Sequence, residues 1–300
     1  MRFSGALLCV GSAAGFGAMG VLGKLAYDEG ATVGTLLAVR FALAAALFWA
    51  VVLAGGAARE IRALRKSDLA TALALGAAGY AAQAGCYFAA LDRIDASLLA
   101  LLVYTYPAMV AVAAIALGRE RPDARRLHAL ALASAGLLLV LASARAGAVE
   151  PLGATLGIGA ALVYTTYILV SEGVAGRIRP TLLAALVCSG AAVSLTLGSA
   201  LLGDLRPGDL TAAGWGWLAS LALVSTVAAI SMFFAGLRRV GPTTASILST
   251  AEPVVTVVLA FLVFGELLGP VQLLGGALVL GAVLVLARYR PREPIGGAAG

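Results

Sequence analysis

Residues 88–120 of this chain occur twice. Moved by 146 positions without a gap, FAALDRIDASLLALLVYTYPAMVAVAAIALGRE lies over residues 234–266, FAGLRRVGPTTASILSTAEPVVTVVLAFLVFGE. Phe88 falls on Phe234, Leu91 on Leu237, Arg93 on Arg239, Pro107 on Pro253 and Glu120 on Glu266. The register continues, with Leu127 on Leu273, Ala131 on Ala277 and Leu132 on Leu278. A period this long makes the repeated unit half a molecule rather than a solenoid turn. The chain divides into a first unit, 1–146, and a second, 147–289. Residues 290–300, rich in proline and small residues, are expected to be a disordered tail.

What each half is made of follows from composition. Apolar residues make up 61% and charged residues 12%, and the mean hydropathy is +1.00. Nearly every segment is apolar all round rather than on one face, so lipid must cover what a water-soluble fold could not hide. Ten spans are expected, at roughly 4–27, 32–54, 69–91, 96–118, 127–144, 152–171, 181–202, 211–237, 241–264 and 268–288. The first is read as mature protein, not as a cleaved leader. Its apolar run is too long, it contains Gly11-xxx-Gly15, and its counterpart in the second half is an ordinary span. Gly153-xxx-Gly157 is a second small-residue pair suited to close helix contact.

Basic residues orient the spans. One set of alternate loops and ends holds sixteen Lys and Arg residues, from Arg2 through the 59–66, 119–126, 177–179 and 238–239 groups to Arg288, Arg290 and Arg292. The other set holds Arg93, Arg145 and Arg206. The asymmetry places both termini on the cytoplasmic side. It also explains the net charge of +6 without a nucleic-acid partner. Five spans per half is an odd number, so the second half enters the membrane inverted. The expectation is an all-α integral membrane protein of ten transmembrane helices, built as two inverted five-helix repeats. Secondary transporters have this architecture, with substrate bound near the midplane between the repeats.

Two stretches, TYPAMVAVAAIALGRE (105–120) and TAEPVVTVVLAFLVFGE (250–266), carry a central proline and end in Arg-Glu or Gly-Glu. The first hairpin, 15–49, has a lysine late in span one and Arg-Phe early in span two. Over about residues 5–288 the chain resembles the EamA-type branch of the drug/metabolite transporter superfamily. The resemblance implies a ten-helix carrier of a bacterial-type inner membrane, commonly an exporter of amino acids or other small metabolites. The bacterial aromatic-amino-acid exporters are one similar group; carriers of cationic drugs and of sugar or nucleotide-like metabolites share the fold and are the alternatives. The first half departs from the second by having Tyr106 where Glu252 precedes the proline.

Within the spans three ionisable residues stand out, since each costs about 3 kcal/mol or more at a helix centre. Glu252, halfway along span nine, can bind an ammonium group, exchange a proton, or pair with a basic group. Pro253 after it, like Pro107 in span four, removes a backbone N–H and kinks the helix. Arg40 in span two can hold a carboxylate in a bidentate fork or pair with Glu252 or an outer-loop acid. Lys24, near the outer end of span one, either lines the pathway or snorkels to the headgroups.

Polar and aromatic residues recur at helical spacing beside them. Span three has Tyr80, Gln83 and Tyr87; span four has Ser97, Tyr104 and Thr105; span six has Tyr164, Tyr167 and Ser171; span nine has Ser246, Ser249 and Thr250. Four such faces are read as lining a shared interior that suits an apolar or aromatic substrate with a few polar groups. The expected site is Lys24, Arg40, Tyr80, Gln83, Tyr87, Tyr104, Tyr164, Tyr167, Ser249 and Glu252.

Other chemistry finds little support. Gly23-Lys24 is no phosphate loop, because Ala18 and Leu25 occupy positions that require glycine and Ser/Thr. A lipid-processing membrane enzyme would need a nucleophile–base pair or an acidic metal motif; there is no HExxH or GxSxG, and His128 sits at a span edge. Cys9, Cys86 and Cys188 lack metal-ligand spacing. No cofactor is expected. The partners are a small-molecule substrate, the lipid bilayer, and a proton or substrate gradient as driving force. A passive channel is the remaining rival, and it would show neither saturation nor counter-flow.

Overall fold

The computed structural model describes residues 2–55, 58–118, 124–143, 150–175, 177–240, 248–249 and 251–287. Among them, every regular element is helical. The first span is α1 (Arg2–Gly17) and α2 (Met19–Asp28), interrupted at Ala18. Then come α3 (Val33–Ala54), a short α4 (Ala58–Ala63), α5 (Lys66–Ala74) and α6 (Ala81–Leu91). Next follow α7 (Ala96–Val103), α8 (Tyr106–Ala116), α9 (Ala124–Ser143), α10 (Pro151–Ala175) and α11 (Pro180–Leu201). The chain closes with α12 (Ala212–Ala222), α13 (Ala229–Val240), α14 (Ala251–Phe264) and α15 (Pro270–Ala287). Among the described residues, seven segments are long and apolar enough to cross a membrane: Phe3–Asp28, Val33–Ala54, Lys66–Leu91, Ala96–Ala116, Pro151–Ser171, Pro180–Leu201 and Ala212–Leu237. Ala251–Phe264 and Pro270–Ala282 are shorter apolar helices. Glu120, Ser246, Thr250 and the tail 290–300 lie outside the described residues.

Local chemistry explains where the helices start and stop. The Thr32 hydroxyl caps α3 by accepting from the Thr35 amide at 3.0 Å, and Thr211 caps α12 through Gly214 at 3.0 Å. Pro151, Pro180 and Pro270 open α10, α11 and α15, where the missing N–H would have had no intrahelical partner. Gly118 (φ +68°) and Gly265 (φ +70°) follow α8 and α14, turning the chain in the left-handed conformation that glycine alone adopts without strain. The break between α7 and α8 falls at Tyr104–Thr105, just before Pro107 in the first turn of α8. A proline ring clashes with the carbonyl four residues earlier, so the helix is cut on that side. Pro253 is the third residue of α14.

Two features were not visible in the sequence pattern. Leu75–Tyr80, between α5 and α6, and Leu223–Ala228, between α12 and α13, are π-helical turns inside otherwise continuous spans. The first is pressed against α11 backbone to backbone. A Cβ on Gly76 would lie 2.0 Å from the Val187 carbonyl oxygen, and one on Gly190 would lie 2.2 Å from that of Leu73.

The helices pair in a mirrored pattern. α3 packs on α11, α9 on α15, α1 on α13 and α6 on α10; α1 also meets α14, as α10 meets α7 and α8. Glycines sit at the tight contacts: a Cβ on Gly136 would lie 2.6 Å from the Gly275 oxygen, and one on Gly236 would lie 2.5 Å from Cys9 Sγ. Small residues let backbones approach where lipid supplies no hydrophobic drive between helices. Phe41, Phe48, Phe88, Leu91, Leu99 and Leu182 fill the interior. Leu201 (87% exposed) and Leu262 (69%) stand on the outside, a surface suited to acyl chains.

Candidate functional site

A cavity of about 570 Å³ lies between these helices, within the range of small-molecule sites. Nine of the ten residues named from the sequence line it: Arg40, Tyr80, Gln83, Tyr87, Tyr104, Tyr164, Tyr167, Ser249 and Glu252. Pro107 lines it as well. Helices from both halves supply the walls, and the lining reaches Pro180, the exposed first residue of α11, at the end bearing Arg177 and Arg179.

Arg40 is held on α3 with 2% of its surface exposed. Its Nε donates to Thr226 Oγ1 at 3.1 Å and its Nη2 to Met19 Sδ at 3.2 Å. The guanidinium lies 5.1 Å from the Phe41 ring centre and 5.2 Å from that of Phe88, within cation–π range. Among the described residues it forms no ion pair with a carboxylate. The pairing of Arg40 with Glu252, one of the two readings the sequence left open, is absent.

Glu252 occupies the second position of α14, its carboxyl against the Tyr104 hydroxyl. That hydroxyl donates to the Ser249 carbonyl at 2.6 Å. The break in the first span meets this turn directly. Thr256 Oγ1 donates to the Gly17 carbonyl at 2.9 Å, and a Cβ on Gly17 would lie 2.8 Å from the Glu252 carbonyl oxygen.

An aromatic wall joins the two charges. From Phe41, beside Arg40, rings follow through Tyr80 (5.1 Å between centres), Tyr167 (5.8 Å), Tyr164 (6.3 Å), Tyr106 (4.6 Å) and Tyr104 (5.8 Å), beside Glu252. Each contact is within the spacing at which edge and offset arrangements of rings attract. Tyr106 is not among the site residues expected from the sequence. The repeat contained a signal for it, since Tyr106 aligns with Glu252, but a tyrosine opposite an acid does not advertise a shared site. Phe16, Met19, Phe233 and Phe234 also line the cavity. They are indistinguishable in sequence from lipid-facing side chains.

Lys24 lies elsewhere. Its Nζ is 2.8 Å from Glu266 Oε1 and 3.7 Å from Asp95 Oδ1, in a separate pocket that includes Asp28, Asp92 and Arg93. Glu266 also accepts from the Ala96 amide (3.3 Å), the Ser97 amide (3.1 Å) and the Ser97 hydroxyl (3.0 Å). These donors form the N-terminus of α7, where backbone N–H groups and the helix dipole favour an anion. Burial pushes the Glu266 carboxyl up, but Lys24 and the Ser97 donors outweigh it and hold the group below its ordinary value. At the opposite end Arg177 grips Asp68 through Nε (3.0 Å) and Nη2 (2.8 Å), and Arg179 reaches Glu60 at 2.8 Å. Among the described residues no three His, Cys, Asp or Glu side chains are grouped to hold a metal ion.

The sequence pattern of the EamA-like transporter family matches this chain twice, over residues 3–142 and 151–288. An uncharacterized transporter of Archaeoglobus fulgidus is 30% identical over 202 residues, covering 67% of this chain and 71% of that protein. The uncharacterized transporter YcbK of Bacillus subtilis is 27% identical over 258 residues, 84% of this chain and 82% of its own. A chain of known crystal structure overlays with a TM-score of 0.66 at 18% identity, covering 97% of this chain and all of that one. That likeness establishes the fold alone. A cavity walled by both halves, apolar helices with lipid-suited surfaces, and two successive matches to one pattern converge on a single conclusion: the chain belongs to the EamA-like transporter family and is a multi-pass membrane transporter.

Proposed function

We propose that this protein is a ten-helix secondary transporter of a bacterial-type inner membrane. In this reading it exports an amino acid, one with an aromatic or apolar side chain, by alternating access through the central cavity. The observation that carries the substrate is the separation of Arg40 and Glu252. Among the described residues, a buried guanidinium with no ion-paired carboxylate and a carboxyl with no ion-paired cation line one cavity at opposite ends of an aromatic wall. Leaving a charge unpaired in a membrane interior is costly, and a zwitterion satisfies both at once. Its carboxylate goes to Arg40, its ammonium to Glu252, and its side chain to the tyrosines. A cationic aromatic compound also suits Glu252 and the rings, but leaves Arg40 uncompensated.

The inverted repeat, 1–146 and 147–289, is supported by the double family match and the mirrored helix pairing. Both termini are cytoplasmic in this arrangement, on the asymmetry of basic residues. The Lys24–Glu266 cluster then closes the extracellular end, and a cavity reaching Pro180 faces the cytoplasm. A proton or counter-substrate gradient drives the cycle.

Counter-flow in proteoliposomes tests the reading: unlabelled amino acid is loaded inside, and entry of labelled aromatic, aliphatic and charged amino acids is followed. Accelerated entry, greatest for the aromatic probe, is expected. No acceleration for any amino acid with folded protein overturns the assignment and brings forward cationic compounds and sugar-like metabolites.

A further inference from the structure

The π-helical turn Leu223–Ala228 places two adjacent hydroxyls, Ser225 and Thr226, in a fully buried position. Thr226 Oγ1 spends its one proton on the Leu221 carbonyl, five residues back, at 3.3 Å. Its oxygen is thereby turned to accept, and it receives Arg40 Nε from a helix of the other half. With Nε bonded to Thr226 and Nη2 to Met19, and with Phe41 and Phe88 beside it, the guanidinium has one orientation. Both Nη1 protons are left without an acceptor among the described residues, on a side chain that lines the cavity. Ser225 Oγ, next to Thr226, is the one buried side-chain oxygen without a hydrogen-bond partner among the described residues. Burying an unpaired hydroxyl destabilises a fold. A turn that tolerates one is retained for its shape, and π turns recur where function needs a displaced side chain.

We propose that Thr226 is a positioning residue for substrate recognition: the π turn aims its hydroxyl so that the free edge of the Arg40 guanidinium points into the cavity and reads a carboxylate. This rests on the amino-acid reading above, and it adds that carboxylate discrimination depends on a residue that does not line the cavity. An α-helical turn would carry residue 226 to another face of the helix and release Arg40.

The test uses full-length protein in proteoliposomes with two probes, phenylalanine and phenylethylamine. They share ring and ammonium, and only the first has a carboxylate. Thr226→Val, which keeps shape and removes the acceptor, is expected to raise KM for phenylalanine about tenfold, the scale of one charge-assisted hydrogen bond. Its kcat should change little and its KM for phenylethylamine not at all, while Thr226→Ser restores the parent values. If the valine variant does not fold, Thr226→Cys replaces the oxygen with a weak acceptor and is read in the same way. Equal losses for both probes, or an unchanged KM for phenylalanine, overturn the proposal. Arg40→Met separates the two levels. Loss of the phenylalanine preference in that variant, with none in the Thr226 variants, rejects the positioning role and keeps the carboxylate site. No change in Arg40→Met, or no transport of phenylalanine by the parent, rejects the amino-acid reading itself.

Discussion

Two sets of a base and an acid, Arg40 with Glu252 and Lys24 with Glu266, are treated in opposite ways in this molecule. In the central cavity Arg40 and Glu252 are kept apart, each resting on neutral partners: a threonine and a thioether for one, a tyrosine for the other. At the far end Lys24 and Glu266 are 2.8 Å apart, and the carboxylate takes three further donors from the start of α7. The second arrangement is what a structural closure needs, because every charge is answered within the protein. The first leaves attraction unspent, which is what a binding site needs. Charge type and depth alone did not distinguish them; partner geometry did.

The comparison breaks first if the cavity charges are dispensable. Glu252→Gln and Arg40→Met are each expected to lower counter-flow by about a hundredfold, the scale for removing one partner of a desolvated charge contact. Membrane insertion and yield should be unchanged. Activity near the parent level for either would make that residue a structural group like Lys24.

Glu266→Gln should act on access instead of affinity. Cys188 lines the cavity, so in a background with Cys9→Ser and Cys86→Ser it reports entry of a membrane-impermeant maleimide. Added from the side of the Lys24–Glu266 cluster, the reagent should label Glu266→Gln about tenfold faster than the parent, as expected for loss of a charge-assisted contact. KM should shift little. Unchanged labelling would mean that Glu266 does not hold that end closed.

A smaller effect sharpens the point through pH. The Glu266 carboxyl is held low by its partners, so the paired arrangement favours its charged state. That contribution is complete above the ordinary glutamate value of about 4.3 and is lost as pH falls through the lowered one. Cys188 accessibility, read by a thiol reagent that still reacts in acid, such as a dithiodipyridine, and normalised to a free thiol at the same pH, should stay flat from neutral pH down through that ordinary value. It should rise only below it. A rise beginning near pH 6 would contradict the paired geometry. Smallest of all is Tyr106→Phe. It keeps the ring between Tyr104 and Tyr164 and should change KM by no more than about threefold, since ring stacking outlasts loss of the hydroxyl.

Much of the fold was legible without coordinates because hydropathy is a local property. The span expected at 32–54 is Val33–Ala54, and that at 181–202 is Pro180–Leu201. The candidate site was legible for a related reason. A charge, a polar group or a tyrosine in an apolar run needs a reason to be there, and nine of the ten residues named from the sequence share one cavity. Lys24 escaped this logic because its reason is Glu266, 242 positions away, and no local pattern shows which acid a base will meet. Thr226 escaped it because a lone threonine in a span usually bonds its own helix; only the π turn directs it to Arg40.

The sequence by itself thus determined a duplicated, lipid-embedded chain with its polar residues turned inward, since repetition, hydropathy and helical period are all written in residue order. Tertiary structure alone decided the break at Ala18, where two π turns lie, and which charges are paired and which are left open. Those outcomes depend on close backbone approaches such as Gly76 on Val187 and Gly17 on Glu252, and on contacts between residues far apart in the chain.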